Sequence, residues 1–169
     1  MAADKFLYNN GGIVTEKAGA VTAVANAIPA LDASGRLVTA QMPVGVGAQT
    51  VDIPTSESLA AGDFVNLWND AGTVKARKAD ASAGKPSQGF VLSVFSHPAT
   101  ALVYVNGGGK SNNQKTGMTP GARQYLSAAA PGGTVETAPT TAGYLVEFLG
   151  TAISATEMVT VDGDYIVLA

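Results

Sequence analysis

The single histidine, His97, is the first residue to consider for acid–base chemistry. A catalytic histidine needs a nucleophile and an orienting partner within hydrogen-bond reach. His97 instead lies between Ser96 and Pro98, a sequence that is typical of a turn between strands. We therefore interpret His97 as a solvated surface residue without a catalytic role.

The sequence contains few side chains that could support metal-dependent or covalent catalysis. Cysteine is absent, which excludes disulfides, thiolate ligands and a cysteine nucleophile. With one histidine, a zinc site would need three carboxylates or ligands shared between subunits. The zinc-protease, serine-hydrolase and EF-hand motifs do not occur. We predict that the protein binds no metal and no cofactor.

A glycine-rich run, Gly107-Gly108-Gly109-Lys110-Ser111, invites comparison with the phosphate-binding loop. That loop needs another glycine separated from its Gly-Lys-Ser by four residues, so that backbone amides surround the phosphates. Tyr104 occupies this position, and no helix signal follows the run. The run is therefore interpreted as an exposed glycine-rich loop.

Carboxylates could act in pairs, as they do in glycoside hydrolysis. Asp162 and Asp164 flank Gly163, Asp63 follows a glycine, and Asp80 lies in a small-residue loop. Aspartate in such places usually forms a turn by accepting hydrogen bonds from its own backbone. A small hydrolase is thus the least favoured hypothesis, and we predict that the protein is not an enzyme.

The elements that would position these residues are short strands. Charged residues make up only 14% of the chain and 20 residues are glycine, which favours strands and turns over amphipathic helices. Apolar runs separated by turn signals predict strands at 46–53, 64–68, 73–78, 89–95, 99–105, 123–127, 144–153, 157–161 and 164–168. Strands of this number and length predict an all-β fold, a small antiparallel β-barrel or sandwich.

Some pairings follow from the turns. Segments 64–68 and 73–78 should form a hairpin across Asn69-Asp70-Ala71-Gly72. Segment 99–105 should neighbour 89–95, and 157–161 should pair with 164–168. Lys75 and Arg77 would share one face of an edge strand, and most aromatic side chains in the strands are interpreted as core residues.

Residues 1–45 show no pattern that would form a core, so we predict an extended N-terminal arm there and a β-barrel or sandwich module at 46–169. A short alanine-rich helix around 20–27 stays open, although it would be marginal alone. An extended arm of this length spans at most about 150 Å. Ordering it costs about 1–2 kcal/mol per residue, so its binding surface must be large.

The charge pattern bears on the class of partner. Ten basic and thirteen acidic residues give a net charge of −3 without any block of like charges, which argues against nucleic acid. The apolar runs are too short for a membrane span, and the first residues lack the pattern of a secretory signal. We therefore expect a soluble protein that is made in a cytosol and has no membrane partner.

Several segments resemble proteins of phage particles. Residues 29–45, with the turn Asp32-Ala33-Ser34-Gly35 ahead of Leu37-Val38 and Met42-Pro43, resemble a segment of phage fibre and head-decoration proteins. Residues 59–66, 78–86 and 89–92 look like the small β-module of phage head fibre and capsid cement proteins, and 119–127 is similar to a later part of that module. The resemblance covers roughly 29–150 and consists of turns, so it indicates a family and no chemistry.

This resemblance implies a virion structural protein that binds the outside of a phage capsid as a cement, decoration or head-fibre protein. Such a protein bridges neighbouring capsid subunits and stabilises the shell. The implied partners are the major capsid protein and further copies of the chain in a homotrimer, and the implied location is the capsid surface after synthesis in the host cytoplasm. The arm residues that we expect at capsid or trimer contacts are Phe6, Tyr8, Ile13, Leu31, Leu37, Met42 and Pro43.

Two neighbouring hypotheses stay open. A tail or baseplate fibre component would share the turn motifs but should show repeated shaft elements, and no such period is visible. A receptor-binding or carbohydrate-binding module of a virion would be supported by a row of exposed aromatic side chains on the β-module.

Overall fold

The computed structural model of the chain describes residues 5–10, 13–20, 28–29 and 49–169. All of the regular secondary structure in these ranges consists of β-strands, so the described part of the chain is all-β, as predicted. The chain divides into two compact units, Met1–Gly47 and Ala48–Ala169.

Three strands are described in the smaller unit. Strands β1 (Lys5–Asn10) and β2 (Ile13–Ala20) pair antiparallel, from Lys5 opposite Ala18 to Asn10 opposite Ile13. Strand β3 (Ile28–Pro29) runs parallel to the end of β2. The helix considered around 20–27 falls outside the described residues, apart from its first residue in β2. The extended arm therefore stays a prediction.

Five strands of the larger unit form one antiparallel sheet. They are β4 (Thr50–Pro54), β5 (Phe64–Asp70), β6 (Thr73–Lys78), β7 (Gly89–Phe90) and β8 (Thr100–Val105). Their order across the sheet is β4-β8-β7-β5-β6. The sheet curls until its two ends meet, since Thr55 bridges Ala76 and the Ser56 N–H donates to the Ala76 carbonyl at 2.9 Å. This sheet is a partly closed barrel.

The barrel has a core of its own because strand side chains alternate between the two faces of a sheet. Phe64 and Val65 are adjacent on β5 and both fully buried, but they belong to different apolar clusters. Val65 belongs to the cluster inside the barrel, whose other members are Ile53, Leu59, Ala76, Val91, Ala101 and Val103. Small and β-branched side chains dominate this cluster, as expected for the interior of a small barrel.

A second sheet has six strands. They are β9 (Ser111–Asn112), β10 (Arg123–Leu126), β11 (Thr134–Val135), β12 (Leu145–Ala152), β13 (Met158–Thr160) and β14 (Tyr165–Val167). The order is β11-β10-β12-β13-β9, and β14 also pairs with β12. One face of this sheet packs against the outside of the barrel, and we call it the inner face. The inner-face residues in the shared core are Leu126, Leu145, Leu149, Ala152 and Met158.

Aromatic side chains fill the barrel's half of this shared core. The rings of Phe64 and Phe90 lie 5.8 Å apart, and Phe90 stacks on Tyr104 at 5.4 Å. Both phenylalanines are fully buried, as predicted. The fold thus combines a partly closed barrel with two packed sheets, the two alternatives that the sequence left open.

The predicted hairpin between β5 and β6 is confirmed. Asp70 pairs with Thr73, and the loop Ala71-Gly72 has positive φ at both residues, which is the geometry of a tight hairpin turn. Strand β6 stands last in the strand order of its sheet, but the barrel closes against it through Thr55 and Ser56, so it is not the open edge strand that its charges predicted. Lys75 Nζ forms an ion pair with Asp70 at 2.7 Å. The Arg77 guanidinium lies over the ring of Trp68 on β5.

One pairing prediction was wrong, because 157–161 and 164–168 do not pair with each other. Strands β13 and β14 lie in line along the same edge of β12, with Thr160 opposite Gly150 and Tyr165 opposite Glu147. Four residues on this edge, 161–164, therefore lie opposite two on β12, 148 and 149, which makes a bulge. A Cβ at Gly163 would lie 2.4 Å from the Phe148 carbonyl, so the bulged chain passes too close to β12 for any side chain there.

The strand predicted at 89–95 is also shorter than expected, since regular pairing ends at Phe90. Beyond it the backbone bonds to the segment ahead of β5. The Val91 N–H donates to the Asp63 carbonyl at 3.0 Å, and Phe95 exchanges hydrogen bonds with Leu59. The predicted neighbour is correct, because β8 pairs with β7.

Candidate functional site

The predicted contact residues of the arm fall into two groups. Phe6 and Tyr8 lie in β1, and Ile13 begins β2. The other four lie outside the described residues, namely Leu31, Leu37, Met42 and Pro43. Their role at a capsid or trimer contact therefore stays a prediction.

His97 is exposed, as predicted, and its contacts are with loop residues. Its Nδ1 lies 3.0 Å from the Thr55 carbonyl oxygen, and its backbone N–H donates to Ser58 Oγ at 3.0 Å. Thr55 is the residue at which the barrel closes. The histidine thus ties the loop ahead of β8 to the closure of the barrel.

The glycine-rich run forms a loop between β8 and β9, as predicted. Gly108 and Gly109 are exposed, and a strand follows the run, not a helix. Lys110 Nζ donates to the Gly107 carbonyl at 2.8 Å. The lysine is therefore engaged by its own loop.

The aspartates behave as turn formers. Asp80 Oδ1 accepts the Ser82 N–H at 2.9 Å and the Ser82 hydroxyl at 2.7 Å, and Asp63 Oδ2 accepts the Ala60 N–H at 2.8 Å. Asp162 and Asp164 are exposed in the bulge. Within residues 49–169 and the three described N-terminal strands, no group of three or more histidine or carboxylate side chains is placed to hold a metal ion.

A buried polar cluster joins the two sheets, and the sequence reasoning missed it. Glu147 is 1% exposed, and its two carboxylate oxygens lie 2.9 and 3.2 Å from the Ser87 nitrogen, which donates to them. Asn106 Nδ2 donates to the Ser87 carbonyl at 3.1 Å, while its Oδ1 is buried without a partner. Burial raises the pKa of Glu147 to about 7. The signal was the alternation Leu145, Glu147, Leu149, which puts the glutamate on the inward-facing side.

The outer face of the six-stranded sheet carries a short row of apolar side chains. Tyr125 and Phe148 are half-buried, and their rings lie 5.8 Å apart. The Arg123 guanidinium lies 5.0 Å from the centre of the Phe148 ring. On the other side, Val135 is the cross-strand partner of Tyr125. We call Phe148, Tyr125 and Val135 the outer row.

The outer row leads into a cleft at the edge strand β11. The cleft has a volume of about 440 Å³ and is lined by Thr116, Gly117, Met118, Gln124, Thr134, Val135, Glu136 and Thr137. Val135 belongs to both the outer row and the cleft lining. Oxygen atoms from threonine and glutamate side chains therefore adjoin an aromatic surface.

Two polar side chains of the cleft are unusual. Gln124 is 1% exposed, and its Nε2 makes no hydrogen bond. Glu136 accepts the backbone N–H of Thr119, which holds the pKa of that carboxyl below its ordinary value. The Gln124 amide lies close enough to contribute to this lowering without reaching hydrogen-bond geometry. The cleft thus offers a carboxylate next to an amide donor without a partner.

The side chains of strand β14 are exposed on both faces of the strand. Tyr165, Ile166 and Val167 are 49%, 61% and 60% exposed, although Glu147 and Leu145, which lie opposite the first and last of them, are buried. Among the described strands β14 pairs only with β12. In an antiparallel strand, alternate residues direct their N–H and C=O groups away from the paired neighbour. An apolar strand with an open edge is a surface for association.

Comparisons of this chain with family models, with curated proteins and with solved structures give no match. Among the residues that the structure describes, there is no helix with the length and apolar character to cross a membrane.

Proposed function

We propose that this chain is a structural protein of a phage particle that binds the outside of the capsid as a cement, decoration or head-fibre protein. In this role it bridges neighbouring copies of the major capsid protein, stabilises the shell and assembles as a homotrimer. It needs no cofactor and performs no catalysis. The resemblance of residues 29–150 to phage decoration modules supports the proposal.

The observation that carries the proposal is strand β14. Its three apolar side chains stay uncovered within the described part of the larger unit, and its outer edge is open. Burying apolar surface contributes about 25 cal/mol per Å², so a protein that presents such a strand associates through it. A decorating protein must adhere to a shell or to its own copies, and β14 supplies an adhesive surface.

The division of the chain also supports the proposal. Met1–Gly47 and Ala48–Ala169 are separate compact units. A cement protein needs one part that attaches and one that projects, and we assign attachment to the smaller unit together with β14. Several weak contacts in one trimer would bind together, because the first contact raises the effective concentration of the others.

The test uses the full chain and particles assembled without it. Co-sedimentation should show saturable binding, and sedimentation of the free protein should show a trimer. Ile166→Asp places a charge on β14 and should lower particle binding at least about tenfold, which is 1.4 kcal/mol. Val74→Asp is the matched control, since Val74 is 54% exposed on the β5–β6 hairpin. A wild-type protein that is monomeric and ignores the particles would overturn the proposal.

Two alternatives from neighbouring classes can be separated from this proposal. A tail or baseplate fibre component differs in its location, so electron microscopy of the virion with this chain located decides between head and tail. A receptor- or glycan-binding module of a virion is favoured by one observation, the half-buried pair Tyr125 and Phe148 on the outer face. Aromatic side chains with one free face are common in such sites.

A further inference from the structure

We propose that the outer row and the cleft beside β11 form one binding site for a neutral oligosaccharide. The aromatic rings of Tyr125 and Phe148 would take the apolar faces of successive sugar rings, and the cleft would take the hydroxyl groups of a terminal unit. The inference rests on the second candidate function, glycan binding, and not on capsid attachment, so either can fail alone.

The outer row and the cleft meet at Val135. Phe148, Tyr125 and Val135 follow one another across β12, β10 and β11, and Val135 also lines the cleft. Gln124 and Thr134 line the cleft from the inner face, so a ligand that lies along the row reaches the cleft by passing Val135 at the edge strand β11. Binding sites for small molecules commonly combine apolar walls with a few polar groups that fix orientation. An oligosaccharide has this same combination of apolar ring faces and hydroxyl groups.

The amide of Gln124 is buried and makes no hydrogen bond through Nε2. A buried donor without an acceptor costs about 1–3 kcal/mol and is rare in folded proteins. If the side chain only packed in the core, a leucine at this position would lower the free energy of folding more than an unpaired amide does. Nε2 lies outside hydrogen-bond geometry with every described residue, although the side chain lines the cleft and the Glu136 carboxylate lies close to it. A ligand hydroxyl that enters the cleft would supply an acceptor after a small shift of the amide.

The charged side chain that lines the cleft is negative. Glu136 is exposed and accepts the Thr119 N–H through Oε1, so the carboxylate is held in place and stays accessible. Thr116, Thr134 and Thr137 add hydroxyl groups that both donate and accept. A fixed carboxylate repels an anion and accepts hydrogen bonds from hydroxyl groups. The cleft lies at the opposite end of the outer row from the Arg123 guanidinium, so it favours a neutral polyol over a phosphate or an acidic sugar.

The test is a titration of the isotope-labelled full chain followed by NMR. The probes are maltohexaose, cellohexaose and chitohexaose, with inorganic phosphate as the anionic comparison. We expect at least one neutral probe to shift the resonances of Tyr125, Val135 and Glu136, and phosphate to shift none of them. The proposal would be overturned if none of the oligosaccharides shifted any resonance, or if the shifts were confined to other parts of the chain.

Two variants sharpen the result. Tyr125→Ala should lower affinity about tenfold, as expected for the loss of one stacked ring. Tyr165→Ala is the matched control, because it removes an exposed tyrosine from β14 and should leave sugar binding unchanged. Equal losses in the two variants would contradict the site.

Gln124→Leu separates a binding role from a packing role. It removes the unpaired amide, so the folded state should be as stable as the wild type or more stable, while sugar affinity falls about fivefold or more from the loss of a hydrogen bond. Unchanged sugar affinity in a stable Gln124→Leu protein would show that the cleft is not part of the site.

Discussion

The carboxylate of Glu147 on β12 accepts the backbone N–H of Ser87, 60 residues earlier in the chain, and both residues are at least nine-tenths buried. The hydrogen bond connects the six-stranded sheet to the segment that leads into β7 of the barrel. Burial disfavours the charged form of a carboxyl, and a single backbone donor offsets only part of that cost. The contact between the two sheets is therefore made by a group that titrates close to neutral pH.

The first prediction concerns this titration. The folded-state pKa of Glu147, about 7, lies above the ordinary value of 4.5, so folding favours the protonated form. The stabilisation that the protonated Glu147 carboxyl contributes is complete below pH 4.5 and is lost as the pH rises through 7. A shift of this size corresponds to about 3 kcal/mol. The stability of Glu147→Gln relative to wild type should thus rise by about that amount between pH 4 and pH 8.

Urea denaturation at pH 4, 6 and 8 measures this difference, and any cost of the new amide cancels because it does not depend on pH. Asp164→Asn, which changes an exposed carboxylate, is the control. A Glu147→Gln protein with the same relative stability at all three pH values would contradict the prediction.

The second prediction concerns Lys115. Its Nζ donates to the Gly132 carbonyl at 3.3 Å and lies 4.9 Å from the centre of the Phe64 ring. Burial lowers the pKa of Lys115 from 10.5 to about 8, while the charge of Asp63 opposes that change. Acetylation rates followed by mass spectrometry should therefore show half-maximal reactivity of Lys115 near pH 8.

Removing the opposing charge should move the midpoint in a known direction. In Asp63→Asn the side-chain oxygen can still accept the Ala60 N–H, but the pKa of Lys115 should fall further. Asp162→Asn, a change at an exposed site in the bulge, should leave the midpoint where it is. A midpoint that rises in Asp63→Asn would refute this account of the lysine.

The third prediction concerns Gly150 in the middle of β12. Its φ is 149°, and a Cβ there would lie 2.0 Å from the Val159 carbonyl on β13. Gly150→Ala should therefore push β13 from its partner and cost more than about 2 kcal/mol. Gly143→Ala is the matched control, because its φ is also positive but a Cβ there meets nothing within 4 Å. Thermal melts that give equal losses for the two variants would rule out the steric explanation.

The fourth prediction tests the core that the two sheets share. Phe90 is fully buried between Phe64 and Tyr104, so Phe90→Ala should cost about 3–5 kcal/mol. Val94→Ala, at a side chain that is 70% exposed, should cost little. Chemical denaturation compares the two, and a small loss in Phe90→Ala would mean that the sheets are not packed as described.

Local patterns were sufficient to predict the all-β class and the β5–β6 hairpin. The hairpin needs only a short turn between two alternating strands, and both lie within 64–78. The strand at β12 was predicted for a similar reason, since 144–153 is the longest apolar run. These features depend on neighbours in the sequence, which is why the residues alone revealed them.

Features that depend on distant residues could not be predicted in this way. The bulge between β13 and β14 arises because the chain after Thr160 passes over the Phe148 backbone, and no turn signal encodes a close approach to another strand. Asp162 and Gly163 were read as a hairpin turn for this reason. The cleft beside β11 likewise joins 116–118 to 134–137, two segments that are brought together with the help of the Thr119–Glu136 hydrogen bond.

The in-line arrangement of β13 and β14 also sets how the fold responds to mechanical force. A load applied beyond Leu168 would peel β14 from β12 one residue at a time, because its three pairs lie at one end of that strand. The bulge then interrupts the peeling before it reaches β13, whose Met158 and Thr160 are fully buried. Strand β14 can thus yield under tension and absorb work while the packed sheets stay intact.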